Sequence, residues 1–233
     1  MSPKLDPPRL WITRTHPQAE ATAARLRDLG WTPVVAPVLQ IRRLDEARTD
    51  LSDADDLAFT SQAAVMAYAG LIARRDSRVF AIGSATAHAA REAGFTAVDT
   101  PTDDEWGDVA ALAERIARAS PRPAMVMNPT AREPAADLAE MLVRRGVGAR
   151  SVAVYETIKA TLTAPPDNLF GILVHSPKAA RAVAGLVDRD LAQRLCVWSI
   201  SEAAAAPLRG LGFGRIVLAD RPNEQALLEK LRQ

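Results

Sequence analysis

The sequence predicts an α/β protein built from two diverged copies of one strand-and-helix unit. Short β-rich runs alternate with longer stretches of helical periodicity, which is typical of parallel sheets covered by helices. Several predicted strands end in a small polar residue that opens a helix, and landmarks of the first half recur in the second half at a nearly constant offset. We expect the functional surface to lie between the two copies.

The predicted strands are short runs rich in apolar and β-branched residues, and apolar residues at three-to-four spacing predict helices between them. In chain order the strands are Leu10–Thr13, Val34–Ile41, Leu57–Thr60, Val79–Ile82, Ala124–Met127, Ser151–Ile158, Ile172–Val174, Leu195–Ile200 and Ile216–Leu218.

The internal duplication is predicted from landmarks that keep their order in both halves. The strand-following arginine, the helix-ending glycine and the helix-opening serine recur as Arg14 and Arg132, Gly30 and Gly146, and Ser61 and Ser176. Two long strand-like runs, residues 33–41 and 150–159, occupy matching places in the repeat. They are candidates for crossings between two domains.

Composition limits the class of protein. The 233 residues include 29 Lys and Arg and 28 Asp and Glu. The resulting net charge of +1 does not indicate a nucleic-acid-binding surface. The one cysteine, Cys196, excludes an internal disulfide. Because neither a signal peptide nor a membrane span is recognisable, we expect a soluble, cytoplasmic protein.

The helix-opening residues are candidates for anion binding. Ser61, Ser84 after Gly83, Ser176 and Ser201 each follow a predicted strand, and Arg14 and Arg132 follow the first strand of each half. In parallel sheets these ends gather at one edge, where helix N-termini present unpaired N–H groups. For any single serine an ordinary N-cap is the favoured interpretation, but recurrence in both halves favours a site.

Tyr155 is the candidate for acid–base chemistry. It interrupts an aliphatic strand, and the chain has two tyrosines in all. A half-buried structural aromatic is the alternative, whereas functionally a phenol could donate a proton to a departing hydroxyl. No metal site is predicted, because the acidic clusters lack metal-ligand spacing with His or Cys. His175 ends a predicted strand, where packing or capping is the favoured role.

The chain resembles the uroporphyrinogen-III synthase family. The resemblance covers essentially the whole chain and rests on short motifs whose order and spacing are specific together. These are Ile12-Thr13-Arg14, the helix ending at Gly30, Pro37, Phe59-Thr60-Ser61 with Ala64-Val65, Ile82-Gly83 with Thr86-Ala87, Val154-Tyr155-Glu156-Thr157, and His175-Ser176-Pro177. The second half departs from the pattern, because Ser201 and Ala204 stand where the first half has Gly83 and Thr86.

The resemblance implies a fold of two flavodoxin-like parallel-sheet lobes joined by a two-stranded connector. One lobe would be discontinuous and combine residues 1–35 with 160–233, and the other would span 42–150. The connector would be residues of about 33–41 and 150–160. We expect a monomer, since the duplication already provides two faces.

The resemblance also implies a lyase of haem, sirohaem and cobalamin biosynthesis. The substrate would be hydroxymethylbilane, a linear tetrapyrrole, which would lose water and close to uroporphyrinogen III with ring D inverted, through a spiro intermediate, without metal or cofactor. A handover from hydroxymethylbilane synthase would be conceivable. No nucleic acid and no membrane would be involved.

The residues that match the family's site follow from the same resemblance. Tyr155 matches the tyrosine proposed to help the hydroxyl leave, and the family binds its ligand largely through backbone N–H groups. The expected substrate-binding residues are Arg14, Ser61, Gln62, Gly83, Ser84, Thr86, Arg132, Ser176, Pro177, Lys178, Ser201 and Glu202.

Two other functions remain open from the sequence. A non-catalytic two-lobed protein that binds a small anion could use the same helix openings. A nucleotide-dependent transferase is disfavoured, because the glycine-rich run Gly210–Gly214 precedes a strand instead of following one.

Overall fold

The structure is a computed structural model that describes residues 7–51, 54–101 and 108–232. The chain divides into two compact units. Unit 1 holds the described residues up to Gln40 and those from Ile158 onward, and unit 2 holds those from Ile41 to Thr157. Strands and helices alternate in both units, which confirms the predicted α/β class.

The strands and helices have the following bounds. The strands are β1 (Arg9–Ile12), β2 (Thr32–Val35), β3 (Leu39–Arg43), β4 (Asp56–Phe59), β5 (Arg78–Ala81), β6 (Val98–Asp99), β7 (Met125–Ala131), β8 (Gly148–Lys159), β9 (Gly171–Val174), β10 (Cys196–Ser199) and β11 (Arg215–Leu218). The α-helices are α1 (Gln18–Asp28), α2 (Gln62–Leu71), α3 (Ser84–Glu92), α4 (Val109–Arg118), α5 (Leu138–Val143), α6 (Pro177–Ala184), α7 (Arg189–Arg194), α8 (Glu202–Ala205) and α9 (Glu224–Glu229).

Each unit is built on a sheet whose strands are mainly parallel. The unit-1 sheet has the order β11-β10-β9-β1-β2, and every neighbouring pair in it is parallel. Read from β2, this is the 2-1-3-4-5 order of flavodoxin-like folds. The unit-2 sheet has the order β3-β8-β7-β4-β5-β6. Its part from β8 to β6 repeats the same order when β7 and β8 are matched with β1 and β2.

The central strands of both sheets are buried on both faces, which explains their continuous apolar sequences. In β1, Trp11 packs into one cluster, while Leu10 and Ile12 pack into the cluster on the opposite face. In β4, Phe59 and Ala58 divide between two clusters in the same way. Packing in these cores therefore fixes the positions of the strand ends. The candidate site residues come directly after those ends in the chain.

The predicted strand Val34–Ile41 is wrong as a single element. It is two strands, since β2 belongs to the unit-1 sheet and β3 to the unit-2 sheet. Pro37 lies between them and has no N–H to donate to a ladder. The sequence also missed β6, which is two residues long. The lobe limits, the two-stranded connector and the duplication itself stay predictions.

Two glycines end helices as predicted. Gly30 follows α1 with φ +81°, and Gly146 follows α5 with φ +72°. This left-handed conformation is accessible to glycine at little cost, so the helices stop there. The helix predicted after Trp106 is α4, although Trp106 lies outside the described residues. Within the described ranges, no helix is long and apolar enough to cross a membrane.

Candidate functional site

The predicted catalytic residue Tyr155 contacts a predicted binding residue of the same unit. Its phenol oxygen lies 3.2 Å from the hydroxyl oxygen of Ser61, 94 residues earlier, and either group could be the donor. Ser61 is the N-cap of α2, and its hydroxyl accepts a hydrogen bond from the Ala64 N–H at 3.1 Å. The structure therefore holds the phenol at the opening of a helix.

A β-bulge sets the direction of Tyr155. Along β7 and β8 the register runs from Thr130 opposite Ala153 to Ala131 opposite Tyr155, so Val154 is the extra residue. In a regular strand Val154 and Tyr155 would point to opposite faces. Here both pack against the cluster that also contains Phe59. The bulge turns the phenol toward α2, a use of bulges that is common beside functional sites.

The backbone of Tyr155 is hydrogen-bonded to Arg132, the residue that follows β7. The Arg132 N–H donates to the Tyr155 carbonyl oxygen at 2.8 Å. The Arg132 side chain forms ion pairs with Glu46 at 3.2 Å and with Glu156 at 3.5 Å. Arg42 also pairs with Glu156. Arg132 is 54% exposed, so a ligand carboxylate could reach it, but Arg132 already has two anionic neighbours.

The remaining candidates of unit 2 lie at the openings of α2 and α3. Gln62 donates from Nε2 to the Ala85 carbonyl oxygen at 3.2 Å and so links the two openings. Gly83 is the N-cap of α3 and Ser84 is its first, exposed residue. The Thr86 side chain is buried. At this opening, backbone N–H groups and Ser84 are therefore better placed than Thr86 to meet a ligand.

Gly83 is not required by the local geometry. Its φ of −167° is extended, and a Cβ there would meet no atom within 4 Å. Ser201 has the same extended conformation, with φ −163°. The replacement of the pattern's glycine by Ser201 therefore leaves the backbone unstrained.

Apart from Arg14, the candidate residues of unit 1 lie at the openings of two helices that differ in length. Ser176 caps α6 and accepts from the Ala179 N–H at 3.1 Å, with Pro177 and Lys178 as the first helical residues. Ser201 caps α8, which is only four residues long. Glu202 pairs with Arg209, and this hydrogen bond lowers the pKa of Glu202. The backbone N–H of Glu202 therefore suits an anionic ligand, whereas its negatively charged side chain does not.

Arg14 is engaged by a residue that the sequence did not indicate. Its guanidinium lies 3.2 Å from the carboxylate of Glu224 and 3.3 Å from the Thr22 hydroxyl oxygen. Arg25 pairs with the same carboxylate at 2.7 Å. Burial lowers the pKa of Arg14, and Glu224 partly offsets that effect. Glu224 thus holds Arg14 at the end of β1.

The ring nitrogens of His175, which follows β9, are buried. Neither ring nitrogen has a hydrogen-bond partner among the described residues. Burial lowers the pKa of His175 to about 4; the nearby positive charge of Arg14 acts in the same direction, and Glu224 opposes it. The imidazole is therefore neutral at pH 7, in agreement with a packing role. No cluster of three or more His, Cys, Asp or Glu that could hold a metal ion occurs in the described part of the chain.

The comparison with known families decides the assignment. The family described as "Uroporphyrinogen-III synthase HemD" matches residues 20–229, which is most of the chain. This chain belongs to the uroporphyrinogen-III synthase family. The family consists of enzymes of tetrapyrrole biosynthesis that cyclise hydroxymethylbilane.

A solved structure of the family has a similar fold. The uroporphyrinogen-III synthetase of Helicobacter pylori superposes with a TM-score of 0.61 at 18% identity, over 97% of this chain and 98% of that one. A mutant uroporphyrinogen III synthase of the extremely thermophilic bacterium Thermus thermophilus gives a TM-score of 0.48 at 17% identity, over 96% of this chain and 97% of that one. Among curated protein sequences, none matches this chain.

For a uroporphyrinogen-III synthase, the candidate residues fall into three groups. Tyr155, Ser61 and Gln62 lie together at the opening of α2. Arg14 and Arg132 each follow a strand and hold a carboxylate of the protein. The others lie at the openings of α3, α6 and α8. Sequence reasoning missed Glu224 and the bulge at Val154, because neither has a local signature.

Proposed function

We propose that the protein is a uroporphyrinogen-III synthase in which Tyr155 is the general acid. The observation that carries this assignment is the phenol of Tyr155 at the opening of α2, in hydrogen-bond contact with Ser61. Family membership supports the substrate, hydroxymethylbilane. A tyrosine held at a helix opening can give a proton to a leaving group and have the resulting charge stabilised there.

The proposed reaction begins with loss of the terminal hydroxyl. Tyr155 transfers its proton to that hydroxyl, the C–O bond breaks, and water leaves while the pyrrole nitrogen, which keeps its proton, supplies electrons to form an azafulvenium cation. Ring D then attacks this cation through the α-carbon that already carries its methylene bridge to ring C, which gives a spiro intermediate. The bond from that bridge to ring D breaks, and the bridge carbon bonds to the other α-carbon of ring D, which loses its proton as the inverted macrocycle closes. The proton that ring closure releases restores the phenol. No net proton is gained or lost by the protein.

The helix openings are proposed to bind the acetate and propionate groups. Ser61, Gly83 and Ser176 begin helices of eight or more residues, whose first N–H groups carry partial positive charge. Arg14, Arg132 and Lys178 would add cations. Distributed donors suit a flexible polyanion better than one strong charge, because the chain must be curled until its ends meet.

Several finer assignments belong to the same proposal. Loss of water with ring closure makes the enzyme a lyase. Because hydroxymethylbilane closes by itself, a direct handover from hydroxymethylbilane synthase would limit its loss. The cytoplasmic location, the monomeric state and the individual binding residues stay predictions.

Incubation of the protein with freshly generated hydroxymethylbilane tests this function. After oxidation, chromatography resolves the uroporphyrin isomers. We expect type III, whereas spontaneous closure gives the uninverted type I. A product mixture identical to that without protein would overturn the assignment. Slower spontaneous closure with type I as product would instead support a protein that binds an anion without catalysis.

A further inference from the structure

We propose that Ser61 is a positioning residue that acts through Tyr155 and not a contact for the substrate. This inference rests on the proposed function, because it gives Ser61 a part in the proton transfer from Tyr155. In the proposed arrangement, the Ser61 hydroxyl donates a hydrogen bond to the phenol oxygen and leaves the phenol proton directed at the substrate.

The hydrogen-bonding capacity of Ser61 favours this direction. A serine hydroxyl has one donor and two acceptor lone pairs. One lone pair accepts from the Ala64 N–H at 3.1 Å, which fixes the oxygen at the opening of α2. The O–H remains available for the phenol oxygen of Tyr155, 3.2 Å away.

The backbone of Tyr155 is fixed independently of Ser61. The bulge at Val154 turns the side chain toward α2, and the Arg132 N–H holds the Tyr155 carbonyl. The ring also packs against the apolar cluster around Phe59. Both the backbone and the ring of Tyr155 are therefore held in place by groups other than Ser61. The phenol oxygen stays near the Ser61 hydroxyl for that reason.

The chemical benefit appears only when the proton leaves. A phenolate oxygen is a stronger acceptor than a phenol, and a hydrogen bond to an ionised group is roughly twice as strong as a neutral one. The N-terminus of the ten-residue α2 adds partial positive charge at the same place. Both effects stabilise the transition state more than the ground state, so they accelerate the reaction.

The corresponding serine of unit 1 shows that capping alone does not explain the contact. Ser176 has nearly the same backbone angles as Ser61 (φ −161° and −160°) and caps α6 with the same 3.1 Å bond. The other tyrosine of the chain, Tyr68, lies buried in the core of unit 2. Both serines cap a helix, but in the described part of the chain only Ser61 also contacts a phenol.

Four substitutions at Ser61 separate capping from hydrogen-bond donation. Ser61→Asn and Ser61→Thr keep both a capping oxygen and a donor, Ser61→Asp keeps the capping oxygen without a donor, and Ser61→Ala loses both. We expect Ser61→Ala to lower kcat about 10- to 100-fold with little change in KM. Ser61→Asp should lower kcat by a similar factor, and its negative charge, at an opening proposed to bind substrate carboxylates, should also raise KM. Ser61→Asn or Ser61→Thr should restore most of kcat.

Thermal unfolding and a control cap complete the experiment. Ser61→Asp should unfold near the temperature of the parent protein, while Ser61→Ala and the control Asp137→Ala should both lose a cap. Asp137 caps α5, so its loss should leave kcat unchanged. Equal kcat for the Asp and Asn variants would overturn the inference. A rise in KM without a fall in kcat would return Ser61 to substrate binding.

A double-mutant cycle distinguishes this inference from the proposed function. If Ser61 acts through Tyr155, then Ser61→Asp should have almost no effect on the residual kcat of Tyr155→Phe. Additive losses would contradict the positioning role while leaving the synthase assignment intact. Absence of type III product from the parent protein would overturn the synthase assignment itself.

Discussion

The guanidinium of Arg14 lies 3.2 Å from the carboxylate of Glu224, so the end of β1 is bound to the start of α9. The two side chains are 24% and 19% exposed, which makes this a largely shielded ion pair. Arg132 in unit 2 is similarly engaged, by Glu46 and Glu156. Each strand-following arginine therefore has an internal anion that a substrate carboxylate would have to share.

Arg14→Gln should raise the KM for hydroxymethylbilane several-fold if Arg14 contacts a substrate carboxylate. It should also lower the free energy of unfolding by about 1–3 kcal/mol, because the pair with Glu224 is lost. Steady-state kinetics and chemical denaturation measure the two effects.

Glu224→Gln is the matched control for Arg14→Gln. It breaks the same ion pair and also the pair with Arg25, so it should lower stability at least as much, but it keeps the guanidinium of Arg14 and so should raise KM less than Arg14→Gln does. If both variants show the same KM, the role of Arg14 is structural and not in substrate binding.

Tyr155→Phe should reduce the rate of uroporphyrinogen III formation by roughly 10²- to 10⁴-fold, the usual contribution of a general acid. Removal of the hydroxyl also breaks the contact with Ser61, which should cost only about 1 kcal/mol of folding stability. Isomer-resolved chromatography against time gives the rate, and circular dichroism checks the fold. Turnover near that of the parent would remove the catalytic role of Tyr155.

The sequence predicted the elements of the fold well where the strands are fully buried. Strands such as β1 and β9 are continuous apolar runs, because helices cover both faces of the sheet. It failed at Val34–Ile41, where apolar character alone does not separate two short strands, although Pro37 marks the break. The two-residue β6 is too short to produce a pattern.

The candidate site was predicted residue by residue but not as an arrangement. Ser61 and Tyr155 were each recognisable, one from its place before a helix and the other as a phenol within a strand. Their contact depends on an extra residue at Val154, and a bulge leaves no mark in the hydrophobic pattern of β8. The partner of Arg14 was missed because most of the chain separates Arg14 from Glu224, and no local sequence pattern links two residues so far apart.

Gly171→Ala should destabilise the protein by about 1–3 kcal/mol, the usual cost of overpacking. A Cβ at Gly171 would lie 2.5 Å from the Cys196 carbonyl oxygen and 2.5 Å from the Trp198 ring. Gly210→Ala is the control, because a Cβ there meets no atom within 4 Å. Denaturant unfolding of both variants checks the difference, and equal stabilities would contradict the packing around β9.

Acid should destabilise the protein partly through His175. The pKa of His175 is lowered to about 4 in the folded chain, mainly by burial and then by the charge of Arg14, against an ordinary value of 6.5. The unfolded chain therefore binds the proton more tightly than the folded one. The sign follows from linkage: well above pH 6.5 the titration of His175 does not affect stability, and between pH 6.5 and about 4 the free energy of unfolding falls as pH falls.

The size of this effect can be isolated with a residue that does not titrate. At about 1.36 kcal/mol per unit of pKa, the full loss attributable to His175 is on the order of 3 kcal/mol. His175→Gln and His175→Phe should each lose less stability than the parent between about pH 7 and pH 4.5. All carboxylates except Glu224, whose charge acts on His175, contribute equally to the three proteins, so the difference reports His175 and its interaction with Glu224. Because Phe also removes two ring nitrogens that have no hydrogen-bond partner among the described residues, His175→Phe should be at least as stable as the parent at neutral pH. Parallel acid curves for the three proteins would contradict the buried, neutral imidazole.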